Sequence, residues 1–168
     1  MIPMELVGVR VELPSNTPIV LLRTADESVA APRMLPIFIG GPEATAIALA
    51  QEGVEPPRPM THDLFAQVLE ELSVRIEKVI ITELRDRTFF AELHVRSPND
   101  ARVMSARPSD AIALAIRLDV PIFAEDQLVA EAGYEDAPED EEDEEQSESV
   151  VEEFRDFIDS VNPDDFGS

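Results

Sequence analysis

Polar and apolar positions alternate from Met4 to Leu13, with Leu6, Gly8, Arg10 and Glu12 on one side and Val7, Val9, Val11 and Leu13 on the other. That period of two predicts a half-buried strand. Pro14-Ser15-Asn16 supplies a turn and Pro18–Thr24 a second strand, so the chain opens as a hairpin. Met34–Ile39 is an apolar run of strand length ended by Gly40-Gly41. Pro42 then stands where a first helical residue belongs, because its missing N–H costs nothing there. Glu43 beside it suits the positive end of the helix dipole. This helix, Pro42–Glu52, stops at Gly53, and a proline-rich loop over Val54–Met60 follows. Thr61 caps a second helix, Thr61–Leu72, with Asp63 in its first turn and Leu64, Phe65, Val68, Leu69 and Leu72 on one face. Val74–Leu84 and Thr88–Arg96 are β-rich runs joined at Arg85-Asp86-Arg87. Ala101–Ala106 is a short strand, Pro108 opens a third helix over Pro108–Leu118, and Val120–Ala124 is a last extended segment. The order predicts an α+β fold: a mainly antiparallel or mixed sheet with two or three packed helices.

Ala-Ile-Ala-Leu-Ala occurs twice, at Ala46–Ala50 and Ala111–Ala115, each a few residues after a helix-opening proline. Flanking sequence does not repeat, so reuse of good helix formers explains the echo better than duplication. Two such small-residue faces can approach closely, against a sheet or against each other.

Charge divides the chain. Residues 1–130 carry 12 basic and 19 acidic side chains, a net of −7, whereas residues 131–168 carry one basic and 17 acidic, a net of −16. Most of the acidity therefore belongs to a tail. Its Glu135–Ser149 stretch has almost no apolar side chains and cannot offset its own chain entropy by burial. The organisation expected is a folded body over 1–132, an acidic disordered linker over 133–149 and a short amphipathic helix within 150–168. In that last segment Val151, Phe154, Ile158 and Val161 share a helical face, and Asn162-Pro163 ends it. So short a helix is not stable alone in water and should dock on its own body or on a neighbouring subunit.

The full chain, at −23, repels phosphate backbones and anionic lipid, which excludes nonspecific cationic binding of nucleic acid as its main activity. Without cysteine there is no disulfide scaffold, thiolate zinc site or cysteine nucleophile. No apolar run approaches the roughly 20 residues of a membrane helix, and the first residues lack the pattern of a secretory signal. A cytoplasmic protein with no membrane partner is expected.

Candidate chemistry collects at the helix starts: Glu43, Thr61, His62, Asp63, Arg107, Ser109 and Asp110. Helix N-termini offer unpaired N–H groups and a positive field, the usual seat of an anion. First-turn carboxylates also serve as plain electrostatic caps, and for Asp63 and Asp110 that reading weighs ahead of catalysis. His62 lies outside the apolar set of its helix, and imidazole is a general base near pH 7. His94 alternates within a strand and is the weaker candidate. No phosphate-binding glycine loop, dinucleotide fingerprint, nucleophile elbow or zinc-protease motif is present. Glu43, Asp63 and Asp110 would suit Mg²⁺ if folding gathered them, but their spacing demonstrates no site, and no cofactor is certain.

Three segments in order, Leu35-Pro36-Ile37-Phe38-Ile39-Gly40-Gly41-Pro42-Glu43-Ala44, Arg58-Pro59-Met60-Thr61-His62-Asp63-Leu64 and Arg107-Pro108-Ser109-Asp110-Ala111-Ile112-Ala113-Leu114-Ala115, resemble the bifunctional nuclease domain family of bacteria and plants. The Phe154–Asp159 segment and the ending Asn162–Phe166 are similar to the tail of actinobacterial members. The resemblance implies a family-specific α+β fold, a homo-oligomer with a dimer favoured, and nuclease activity on RNA and DNA with low sequence specificity. It implies His62, Asp63, Asp110 and Glu43 as catalytic groups, and Arg107, Ser109, Arg58 and Thr61 as substrate-binding ones. In this scheme His62 or a carboxylate activates water or a ribose hydroxyl, and Arg107 with a helix N-terminus holds the phosphate. Single strands or nucleotides suit the mildly acidic body better than extended duplex. Arg58, Arg85, Arg87 and Arg107 are the guanidinium groups to inspect. The alternative is a non-enzymatic regulatory or interaction module in which Thr61, Asp63, Ser109 and Asp110 cap their own helices and Arg107 forms an ion pair. The catalytic reading instead requires His62, Asp63, Arg107 and Asp110 to converge in one hollow.

Overall fold

The computed structural model describes residues 1–25 and 32–135. The strands are β1 (Ile2–Glu12), β2 (Thr17–Thr24), β3 (Arg33–Phe38), β4 (Arg75–Arg85), β5 (Thr88–Arg96), β6 (Ala101–Ala106), β7 (Ile122–Ala124) and β8 (Tyr134–Glu135). The helices are α1 (Gly41–Gln51), α2 (Thr61–Glu71), α3 (Pro108–Leu118) and α4 (Asp126–Ala132). The strands form one mixed sheet ordered β6-β5-β4-β7-β1-β2-β3-β8. Its pairings are antiparallel except for β4 beside β7, which run parallel across the α3 connection. The fold is therefore α+β, as the element order predicts. The short α4 and β8 add to the predicted elements. β8 closes on β3, with Arg33 opposite Glu135 and Met34 opposite Tyr134. The C-terminal helix predicted beyond residue 150 lies outside the described residues, as does nearly all of the acidic linker.

Alternation in β1 breaks once. The β1–β2 register shifts between Leu6 and Gly8, a bulge that adds one residue and reverses which face later side chains take. Met4 and Leu6 therefore join the core before the bulge and Val9 after it, while Val7 and Leu13 stay exposed. The single apolar face predicted from Val7 to Leu13 does not exist.

The core lies between the sheet and helices α1, α3 and α4. Val20, Leu22, Leu35, Ile37, Val79 and Ile81 from the strands meet Ile47 of α1, Ile112 of α3 and Val129 of α4. α1 packs on β1, β2 and α3, and α3 packs on β4 and β5. The two Ala-Ile-Ala-Leu-Ala segments belong to this α1–α3 contact, where buried alanines let the backbones approach closely.

α2 reverses the expected amphipathic arrangement. It buries no residue fully. Its half-buried side is His62, Asp63, Ala66 and Leu69. Of the predicted apolar face, Leu69 alone touches the core, while Leu64, Phe65, Val68 and Leu72 are 53, 44, 44 and 65% exposed. The reason is polar and lies in the partners of His62 and Asp63.

Because Ile112 is fully enclosed, Ile112→Ala removes both transfer energy and packing. Denaturant unfolding should show a loss of about 2–5 kcal/mol.

Candidate functional site

Three helix starts converge. Pro42 and Pro108 occupy first-turn positions of α1 and α3, which fixes where Glu43 and Asp110 emerge. Arg107 is the extended N-cap residue of α3. Its guanidinium grips Asp110 through Nε–Oδ2 at 2.7 Å and Nη2–Oδ1 at 3.0 Å. The same Nη2 lies 3.0 Å from Oε1 of Glu43. His62, in the first turn of α2, places Nε2 3.1 Å from Asp110 Oδ1. With Nε2 donating to the carboxylate, Nδ1 is the remaining acceptor. Glu43, His62, Arg107 and Asp110 thus form one network. His62 is largely covered, whereas Arg107 is about two-thirds exposed.

Burial raises the Asp110 carboxyl, but hydrogen bonds from Arg107 and His62 outweigh it and hold the group below its ordinary value. The Asp110 carboxylate in turn raises the Arg107 guanidinium. Asp110 is ionised at neutral pH and orients the imidazole.

Asp63 is not in this network. Its Oδ2 accepts the Met60 backbone N–H at 2.8 Å, and its Oδ1 takes a hydrogen bond from Arg117 Nε. Arg117 also donates to the carbonyls of Ala113 and Ala46, each at 2.9 Å. Burial raises the Asp63 carboxyl, but the Arg117 and Met60 hydrogen bonds bring it below its usual range. For Asp63 the capping role holds. Asp110 instead turns its carboxylate to His62 and Arg107. Ser109 is buried beside them, and Thr61 and Arg58 are exposed at the start of α2 and in the loop before it. Arg85 lies far along the sheet, stacked over Phe90 at 4.5 Å.

Among the described residues, no group of three or more His, Asp or Glu side chains stands close enough to hold a metal ion. Glu43 and Asp110 are bridged by a guanidinium, and Asp63 is committed to Arg117. Folding therefore does not gather Glu43, Asp63 and Asp110 into the Mg²⁺ site that they could form together.

The network is not enclosed. Two grooves flank α2, one of about 850 Å³ bordered by Leu69, Arg75, Arg96 and Ser97, the other of about 510 Å³ bordered by Val54, Pro56, Pro59 and Asp63. Arg117 reaches both, and neither is lined by Glu43, His62, Arg107 or Asp110.

Arg117 is the residue that sequence reasoning missed. The signal was available: it is the one charge in the run Ala111–Leu118, on a helix otherwise apolar beyond its first turn. A cation kept in such a run needs an acid and carbonyls from neighbouring elements.

The architecture defines an α+β domain that displays an imidazole, a guanidinium and two carboxylates where three helices begin. The chain belongs to the bifunctional nuclease domain family, whose pattern matches residues 20–137. It is 47% identical over 167 residues to uncharacterized proteins of two Mycobacterium tuberculosis strains, CDC 1551 / Oshkosh and ATCC 25618 / H37Rv, the match covering 96% of each chain. It is 28% identical over 92 residues to Bifunctional nuclease 2 of Arabidopsis thaliana, spanning 53% of this chain and 28% of that protein. No helix among the described residues is long and apolar enough to cross a membrane.

Both Asp63 and Asp110 titrate below the ordinary aspartate value of 3.8. Their stabilisation is complete above that value and is lost as pH falls through the lower folded ones. Asp63→Asn should therefore flatten the acid limb of stability. Urea midpoints measured at successive pH values down to about 3 should fall less steeply in the variant than in the parent chain.

Proposed function

We propose that the protein is a cytoplasmic nuclease of low sequence specificity that hydrolyses phosphodiester bonds of single-stranded RNA and DNA at the Glu43–His62–Arg107–Asp110 network. The observation that carries this reading is the His62–Asp110 hydrogen bond beside Arg107. Asp110 fixes the imidazole ring so that Nδ1 can take a proton from water or from a ribose hydroxyl. Arg107 is exposed, and its Nη1 makes none of the described bonds, so it can meet a phosphate oxygen. An incoming phosphate competes with Glu43 for that guanidinium. The N-terminal amides of α3 add a positive field at the same place.

Family membership supports nucleic-acid chemistry, and the name of the Arabidopsis relative supports the same class of reaction. The open position of the network suits a flexible single strand, and a body at −7 does not favour long duplex.

Purified protein, freed of host nucleases, would be incubated with labelled RNA and single-stranded DNA, with Mg²⁺ or with EDTA. His62→Ala and Asp110→Asn should each lower cleavage about 10²-fold or more. Arg107→Ala should weaken substrate binding together with turnover. Cleavage undiminished in both the His62 and Asp110 variants would identify a contaminant and remove the proposal.

A further inference from the structure

The larger groove beside α2 carries an excess of cation. Arg75, Arg96 and Arg117 border it, and Glu70 is the one acid among its described lining residues. Arg117 is committed to Asp63. Arg96 binds Glu77 through Nε at 2.6 Å and Nη2 at 3.2 Å, yet its side chain stays 57% exposed. Arg75 is exposed and makes no hydrogen bond or ion pair among the described residues. The two stand directly opposite each other in the β4–β5 ladder. Like charges so placed destabilise a sheet. An anion seated between them removes that repulsion, and the guanidinium fork matches the geometry of phosphate.

Two elements lead from this groove to the Glu43–His62–Arg107–Asp110 network. His62, Ala66, Leu69 and Ser73 stand at i, i+4, i+7 and i+11, on one side of α2 and the turn that ends it. His62 belongs to the network, and the other three border the groove. At 1.5 Å per residue that interval is about 16 Å. β6 spans the same distance: Ala101 pairs with Arg96 at the groove, and Ala106 precedes Arg107. At about 3.3 Å per residue β6 also covers roughly 16 Å. Met104 faces the helix side with its partner Leu93, as Arg102 does with Val95. Met104 is half-exposed, and Arg102 is exposed beside Asp100 at 2.8 Å. The interval thus offers apolar surface to a base and a cation to the backbone.

We infer that Arg75 and Arg96 form a second phosphate subsite, which holds a single-stranded nucleic acid about 16 Å from the bond being cleaved. The inference rests on the nuclease reading for the identity of the strand, and it adds a preference for length. A stacked strand rises about 3.4 Å per nucleotide, so about five nucleotides reach from the network to the groove. Shorter ones engage the network alone. A body at −7 draws no polyanion by its overall field, so its grip on a strand comes from guanidinium groups at separate points.

Binding is read with a labelled phosphorothioate single strand of about eight nucleotides, which resists cleavage, and with the matching dinucleotide. Arg75→Ala should weaken the longer strand about tenfold. It should also lower the slope of log Kd against log salt by about 0.7, the share of one phosphate contact on a single strand. The dinucleotide should bind as before. Arg23→Ala, which removes the same charge from β2, should change either affinity by no more than about twofold. The melting temperature of Arg75→Ala should equal or exceed that of the parent chain, because an unbonded charge facing another is removed. Equal slopes in the Arg75→Ala and Arg23→Ala variants, an equal loss on the dinucleotide, or a parent chain that binds no strand would each overturn the inference. So would competition by inorganic phosphate that Arg75→Ala abolishes while the longer strand keeps its affinity, the behaviour of a site for free phosphate. A parent chain that binds the strand with the expected slope but cleaves none of its unmodified counterpart removes the nuclease reading and keeps the strand-binding groove. Cleavage with a slope that Arg75→Ala leaves unchanged does the reverse.

Discussion

A single guanidinium ties the three long helices together. Arg117 rises from α3, donates to the Asp63 carboxylate of α2 and to the Ala46 carbonyl of α1, while a third bond returns to Ala113 in its own helix. Its side chain is 9% exposed, so the charge has left water almost completely. Desolvation on that scale is offset only where every donor finds an acceptor of good geometry, and removing one partner would leave the other charge stranded. The constraint decides more than stability. It sets the rotation of α2 about its own axis, and with it the direction in which His62 points.

That rotation explains two features that otherwise look unrelated. On the inner side of α2, His62 meets Asp110 at the start of α3, next to Arg107 and Glu43. On the outer side, four apolar residues lose the core contacts that their spacing seems designed to make. A helix turned the other way would bury Leu64 and Val68 and dissolve the polar network. The hydrophobic term alone favours that alternative, at about 1.5–3 kcal/mol per large side chain fully buried. The observed orientation therefore rests on the His62–Asp110 hydrogen bond and the Asp63–Arg117 ion pair.

The network itself is nearly self-neutralising, with a guanidinium held between two carboxylates. Fold and family establish what kind of domain carries it, and the chemistry has to be argued from these side chains. Their arrangement combines an oriented imidazole with an exposed cation at the positive ends of three helices. The two readings drawn from the residues each find part of their pattern. Asp63 caps its helix and Arg107 is ion-paired, as in a structural module, yet Asp110 spends its carboxylate on His62, as an orienting group does.

Local order was legible without coordinates. Pro42 and Pro108 mark helix starts because only a first turn tolerates their missing N–H, and the hairpin at Arg85-Asp86-Arg87 sits where the β pattern pauses. Three of the clustered site residues were recognisable as polar groups at those starts, and Glu43 as a first-turn acid. What could not be read was any property set between elements. The bulge near Gly8 swaps the faces of β1, because one inserted residue reverses a period of two. The separation of Asp63 from its neighbour His62 depends on Arg117, 54 residues away. Periodicity says which residues share a face; it carries no information about which face meets the core when an ion pair competes with apolar burial. Spacing along this chain determined its elements and the chemistry offered at their ends, and tertiary contact alone decided which of those groups meet, because long-range pairing of buried charge outweighs the local pattern that surrounds it.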